Sequence, residues 1–202
     1  MSIEGVICDE EETLLWQALL GGNESAFESM IQRCYDLMFQ YGLKFSKERE
    51  LVKDSIQDVF LEIWEKRQAL NKNIPPKAYL LASLRRKLHR LQQRNKNVLV
   101  ADPTRFYTEF QIEFSAEYRL IEQEEDRINA SQITGMLNKL PARQQEAVYL
   151  RFFQDLDRYA IAEIMNIHPQ SVSNLLQTAF KFLKSNWLYW IAIGFGLSAL
   201  NF

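Results

Sequence analysis

The chain has 202 residues, 47% of them hydrophobic, with a formal net charge of −2, seven glycines, five prolines and two cysteines. That length and apolar content suffice for one good core or two small ones, and the helical apolar spacing with so few chain breakers predicts an all-α protein and excludes a strand-rich fold. Cys8, Cys34, His89 and His168 lack metal-ligand spacing, and no nucleophile, paired pocket carboxylates or Gly-rich phosphate loop is present, so no catalytic residue, metal or cofactor is expected.

The N-terminal stretch is acidic. Residues 1–28 hold seven carboxylates and no Lys or Arg precedes Arg33. An acidic start without an early apolar run does not read as a signal peptide, so a cytoplasmic protein with reduced thiols is expected. Residues 11–45 read as one or two amphipathic helices. Leu14, Leu15, Ala18 and Leu19 form the first stripe, Gly21-Gly22 a break, and Asn23 an N-cap; Phe27, Met30, Ile31, Tyr35 and Met38 form the second stripe.

Lys47 to Arg67 reads as a long helix with Leu51, Ile56, Val59, Phe60, Ile63 and Trp64 inward and Asp54, Gln57, Asp58, Glu62 and Glu65 outward. Asn73 to Pro76 breaks the pattern. Residues 77–94 then form a basic helix with Tyr79, Leu80, Leu84, Leu88 and Leu91 as its buried stripe. Between 77 and 96 there are Lys77, Arg85, Arg86, Lys87, Arg90, Arg94 and Lys96, and no acid. Phosphate attraction is local and is screened within about 10 Å at ordinary salt, so the charge of this face outweighs the chain total and marks a candidate DNA surface.

Residues 97–127 read as an acidic linker with some helix, joining two helical domains at 1–96 and 128–186. The aromatics Phe106, Tyr107, Phe110, Phe114 and Tyr118 have either domain to pack on, which argues against a fully disordered linker.

Residues 139–186 carry a helix-turn-helix pattern. Its first helix runs from about Tyr159 to Met165 with Ile161, Ile164 and Met165 buried, and Asn166 tolerates the left-handed conformation that ends a helix. Pro169 suits the first turn of the next. In the second helix Val172, Leu176, Ala179 and Leu183 form the inward stripe. Gln170, Ser171, Ser173, Asn174, Gln177, Thr178 and Lys181 remain for a partner, with amides suited to adenine and a lysine placed for phosphate. An ordinary αα-hairpin with a solvated face is the plain alternative.

Residues 187–202 form an apolar tail. With the preceding Ser185 and Asn186 its 18 residues would reach about 27 Å as a helix, short of a hydrocarbon core of roughly 30 Å. Length favours packing against its own domain or a partner over a membrane anchor with Trp187, Tyr189 and Trp190 at the interface.

Taken together, DSIQDVFLEIWEKR, AYLLASLRRKLHRLQQR and the C-terminal helix pair resemble the extracytoplasmic-function sigma factors of bacterial RNA polymerase, a sigma-70 group, in the form common in Bacteroidetes-like bacteria. The resemblance spans roughly residues 22–96, similar to region 2, and 128–184, similar to region 4. Region 4 opens at Leu140-Pro141 and runs through Arg143, Gln144 and the core Ile161-Ala162-Glu163-Ile164.

The resemblance implies that Asp54, Gln57, Asp58, Phe60, Glu62 and Trp64 dock on the β′ clamp helices of core polymerase. It further implies that region 2 melts and reads the −10 element, with Tyr79 a stacking platform and Arg85, Arg86, Lys87, Arg90 and Arg94 along the strand. Region 4 would read the −35 element. Core polymerase (β′ clamp helices and β flap) and promoter DNA are the implied partners, an anti-sigma factor a further candidate, and a monomer the implied free state.

Two departures stand out. The usual Arg-Asn pair followed by Asp is replaced by Arg85, Arg86 and Arg90, and the second helix has Ser173, Leu175, Thr178 and Phe180 where the family favours cations. Fewer phosphate anchors imply DNA binding only when tethered to polymerase, or an apolar partner surface at Leu175, Phe180 and Phe182. Two alternatives to a sigma factor follow: a polymerase-independent helix-turn-helix regulator, or a degenerate sigma-like protein that has become a protein-binding or membrane-tethered interaction module.

Overall fold

The computed structural model describes residues 3–95, 110–112 and 133–198, with side chains described over 11–93, 110–112 and 133–185. All regular structure among the described residues is helical. The chain divides into two compact units, one over Met1–Phe106 with Ala162–Asn166 and the other over Tyr107–Ile161 with Ile167–Phe202.

The N-terminal bundle consists of α1 (Ile3–Leu20), α2 (Glu24–Gly42), α3 (Arg49–Lys66), a 3₁₀ turn (Arg67–Ala69) and α4 (Pro76–Asn95). Asn23 caps α2 as the sequence predicts, its Oδ1 accepting from Ala26 N at 3.0 Å. Gly22 sits at φ 89°, a left-handed conformation that closes the turn after α1. Helix α2 packs on α1, α3 and α4, and α3 packs on α4. Met30, Met38, Val52, Ile56, Leu80, Leu84 and Leu88 fill the space between them and are essentially inaccessible. Removing such side chains from water is the main term holding the bundle together, roughly 1.5–3 kcal/mol for each large one.

The α1 stripe differs from the expected one. Leu14 is 66% exposed, while Trp16, Leu19 and Leu20 are buried. Its indole decides the rotation of the helix: Trp16 Nε1 donates to Asn71 O at 3.3 Å and the ring packs 5.6 Å from Tyr79. A large amphipathic aromatic with both an apolar seat and an acceptor outweighs a leucine two positions away.

The C-terminal helices are a turn at residues 133–137, α5 (Ala142–Phe152), α6 (Arg158–Met165) and α7 (Pro169–Ser198). Helix α5 packs along α7. Residues 110–112 belong with them: Asn138 accepts from Ile112 N and donates to Ile112 O, both at 3.0 Å, and Phe110 lies buried 5.9 Å from Tyr149. The rest of the acidic segment, including Phe106, Tyr107, Phe114 and Tyr118, lies outside the described residues. Backbone helix continues without a break through α7 to Ser198. Among the described residues no helix is long and apolar enough to cross a membrane.

Gly42 lets α2 lie close against α3, since a Cβ there would stand 2.5 Å from Val52 Cγ1. Gly42→Ala is therefore expected to destabilise the protein by about 1–3 kcal/mol through overpacking. Urea unfolding checks this, and an unchanged midpoint would mean that the contact relaxes without cost.

Candidate polymerase and nucleic-acid interfaces

Helix α3 is divided lengthwise by its sequence. Val52, Ile56, Val59, Phe60 and Ile63 are buried, while Asp54, Gln57 and Asp58 are exposed and Glu62 is half-buried. Phe60 was expected among the docking residues, but it is 3% exposed and meets Phe27 edge-on at 6.2 Å. It can shape the acidic surface only from beneath. Trp64 is half-buried, 4.8 Å from Phe27, and the Arg67 guanidinium covers its ring at 4.4 Å. Sequence reasoning passed over Leu61, which is 56% exposed among these carboxylates. Its signal was its place three residues after Asp58 and four after Gln57, on their face of the helix.

The cations of α4 do not form one surface. Arg86 and Arg90 are exposed, and Arg86 Nη2 donates to Ser83 Oγ at 3.0 Å. Arg85 is 6% exposed, which corrects its placement on the outer basic face. The cause is helical spacing: Arg85 lies four residues after Leu81 and three before Leu88, so its aliphatic stem joins the buried stripe. Lys87 is also turned away from a nucleic acid, bonding Asp58 Oδ2 at 2.8 Å and Glu62 Oε1 at 3.1 Å. Tyr79, the expected stacking platform, is half-buried against Trp16, and the Arg94 side chain lies outside the described set. Between these residues, partial burial and then Arg85 hold the His89 imidazole below its ordinary pKa.

The helix-turn-helix is assembled by its caps. Asp157 Oδ1 accepts from Tyr159 N and Ala160 N at 2.9 and 2.8 Å, fixing the start of α6. Ile161, Ala162, Ile164 and Met165 of α6 are buried. Asn166 adopts φ 52°, the left-handed conformation its sequence position suggests. His168 Nδ1 then accepts from Gln170 N at 3.2 Å, and Pro169 occupies the first position of α7. That capping role for His168 was not visible in the sequence, where a histidine is an unusual choice.

Along α7, Val172 and Ala179 are buried and Leu176 and Leu183 half-buried, as the spacing predicts. Gln170, Ser171, Asn174, Gln177, Thr178 and Lys181 are exposed on the other side. Ser173 is half-buried and its hydroxyl donates to Pro169 O at 3.4 Å. Gln170 Nε2 donates to Asn174 Oδ1 at 3.2 Å, and Thr178 Oγ1 to Asn174 O at 2.8 Å, so three candidate reading residues are already mutually oriented. Asn174 and Thr178 border an open cleft of about 450 Å³ that also takes in Arg143 and His168. Beside it Phe152 and Phe180 pair edge-on at 5.4 Å while remaining 57% and 46% exposed.

The Sigma-70 region 2 family model matches residues 30–98, and the Sigma-70 region 4 model matches residues 130–183. Together they span more than half of the sequence. The chain belongs to the sigma-70 family. As a sigma factor it serves RNA polymerase in promoter recognition, as the sigma-70 resemblance of its sequence implied. Sigma factors are initiation factors rather than enzymes.

A structure of CnrH in complex with the cytosolic domain of CnrY is similar at TM-score 0.58 and 16% identity, covering 87% of this chain and 96% of that one. The sigma factor RpoE from Bartonella quintana, in complex with the anti-sigma factor NepR, is similar at TM-score 0.55 and 19% identity, covering 79% and 94%. At these identities the likeness is one of fold. No curated protein sequence matches the chain.

Tyr149 of α5 is buried in this sigma factor beside Phe110 and stacks 5.6 Å from Phe153. Burial pushes its phenol up to about 12, opposed by the hydrogen bond that Gln154 Nε2 donates to its hydroxyl at 3.0 Å. A raised phenol pKa favours the neutral folded form, so the contribution is complete below pH 10 and is lost as pH rises through 12. Tyr149→Phe is expected to remove up to about 2 kcal/mol of the fall in stability between pH 9 and 12. Denaturant midpoints across that range provide the check, and identical declines in both proteins would contradict the assignment.

Proposed function

We propose that α3 docks this sigma factor on the β′ clamp helices of core polymerase, that α4 follows the −10 strand, and that α7 reads the −35 duplex. The supporting observation is the exposure of Asp54, Gln57 and Asp58 on one helix and of Asn174, Gln177 and Thr178 on another, each face carried by a buried apolar stripe. The basic contribution in region 2 comes from Arg86 and Arg90, the α4 cations that stand exposed among those described. Region 2 would occupy residues 1–96, region 4 residues 128–186, with 97–127 between them. The protein acts in the cytoplasm, as a monomer when free, and has no catalysis of its own.

A second activity is favoured by the exposed Phe152–Phe180 pair. Two large aromatic rings left in water beside a polar reading face suit a protein partner better than a phosphate backbone. Capture of region 4 by the β flap, or by an anti-sigma factor, would cover them. The complex of RpoE with NepR offers a precedent of the same fold.

Run-off transcription with core polymerase and genomic fragments supplies a cognate promoter for the test. Gel shifts on it are expected to require core enzyme. Asn174→Ala is expected to lose about 1–3 kcal/mol at one −35 base position and little at sequences lacking it. Arg90→Ala should weaken every promoter alike and lower the salt slope by about one. Uniform losses for Asn174→Ala, or tight specific binding without core, would contradict the proposal.

A further inference from the structure

The basic run of α4 contains one residue whose geometry points at protein rather than nucleic acid. The Lys87 side chain is 14% exposed and its ammonium bridges Asp58 Oδ2 at 2.8 Å and Glu62 Oε1 at 3.1 Å, carboxylates that are 55% and 46% exposed. Asp58 and Glu62 stand one helical turn apart on α3, where two like charges repel and each side chain samples several rotamers. A single cation contacting both cancels the repulsion and fixes both rotamers. Asp58 Oδ1 and Glu62 Oε2 are left without a hydrogen-bond partner among the described residues, available to a basic partner.

We propose that Lys87 is a positioning residue for polymerase docking, setting Asp58 and Glu62 in the arrangement that core polymerase meets. This rests on the docking role of α3 proposed above. Ordering a rotamer-rich side chain on binding costs about 0.5–1.5 kcal/mol, and Lys87 meets that cost for two carboxylates before encounter. The same bridge ties α4 to α3 electrostatically, through Lys87 on one helix and Asp58 and Glu62 on the other.

The opposite expectation, that Lys87 competes with the partner for these carboxylates, is physically distinct. Removing a competitor would tighten docking, whereas removing a positioning group weakens it. The two free carboxylate oxygens favour positioning, because the bridge occupies one oxygen of each group and leaves the other.

The test is equilibrium binding of fluorescently labelled full-length protein to core polymerase. Lys87→Met is expected to weaken binding on the order of three- to tenfold, in line with the loss of two partly exposed ion pairs. Lys87→Arg, which keeps the charge, should restore most of it. In an Asp58→Asn/Glu62→Gln background, Lys87→Met should change affinity by less than about twofold, a coupling that general loss of folding would not produce. With saturating core, the promoter salt slope should be unaffected by Lys87→Met. Unchanged or tighter binding to core, an undiminished effect in the double background, or a lowered salt slope would each overturn the proposal. Failure of the wild-type chain to bind core would instead overturn the docking role of α3, and this inference with it.

Discussion

The lengthwise division of α3 is the constraint on which the structure depends. Eighteen residues supply both the central packing of the N-terminal bundle and an acidic surface. Ile56, Val59, Phe60 and Ile63 must face α2 and α4 for the core to close, and the 3.6-residue period then forces Asp54, Gln57, Asp58 and Leu61 outward. No separate device is needed to display the acidic face. The drive to bury the apolar side produces it, and any rotation of α3 large enough to hide Asp58 would expose Val59.

The same reasoning explains why charge along a sequence is not charge on a surface. The run from Lys77 to Lys96 reads as one basic stripe, yet the helix distributes it around its circumference. Arg85 goes into the core, Lys87 goes to α3, and Arg86 and Arg90 go to solvent. Long aliphatic stems permit this, since Arg and Lys can bury methylenes where a shorter charged side chain could not be accommodated. Among the described residues α4 therefore offers solvent fewer cations than its composition suggests.

Much of the fold was legible in the sequence because it rests on local rules. Asn23 as a cap, the Gly21-Gly22 break, Asn166 at positive φ and Pro169 opening α7 are each decided by the residue's own stereochemistry. The α7 stripe and the exposure of Asn174 and Thr178 follow from periodicity alone. The burial of Arg85 was legible in its spacing from Leu81 and Leu88 but was masked by its charge. What was not legible depends on tertiary partners: the seat of Trp16 that turns Leu14 outward, the ties from Lys87 to α3, and the half-burial of Tyr79. Each is fixed by a residue from another helix, and periodicity carries no information about what stands opposite. Phe110 belongs to the same class, since its place beside Tyr149 depends on Asn138 gripping Ile112.

The central claim is that the acidic face of α3 is a docking surface and not a solvated exterior. Equilibrium binding of an Asp54→Lys/Asp58→Lys variant to core polymerase tests it most directly, with melting temperature measured alongside because both side chains are exposed. The account predicts a loss of at least about tenfold in core affinity, since like charges would then face a basic partner, with the fold intact. Affinity within about twofold of the wild type, in a variant that melts normally, would contradict it.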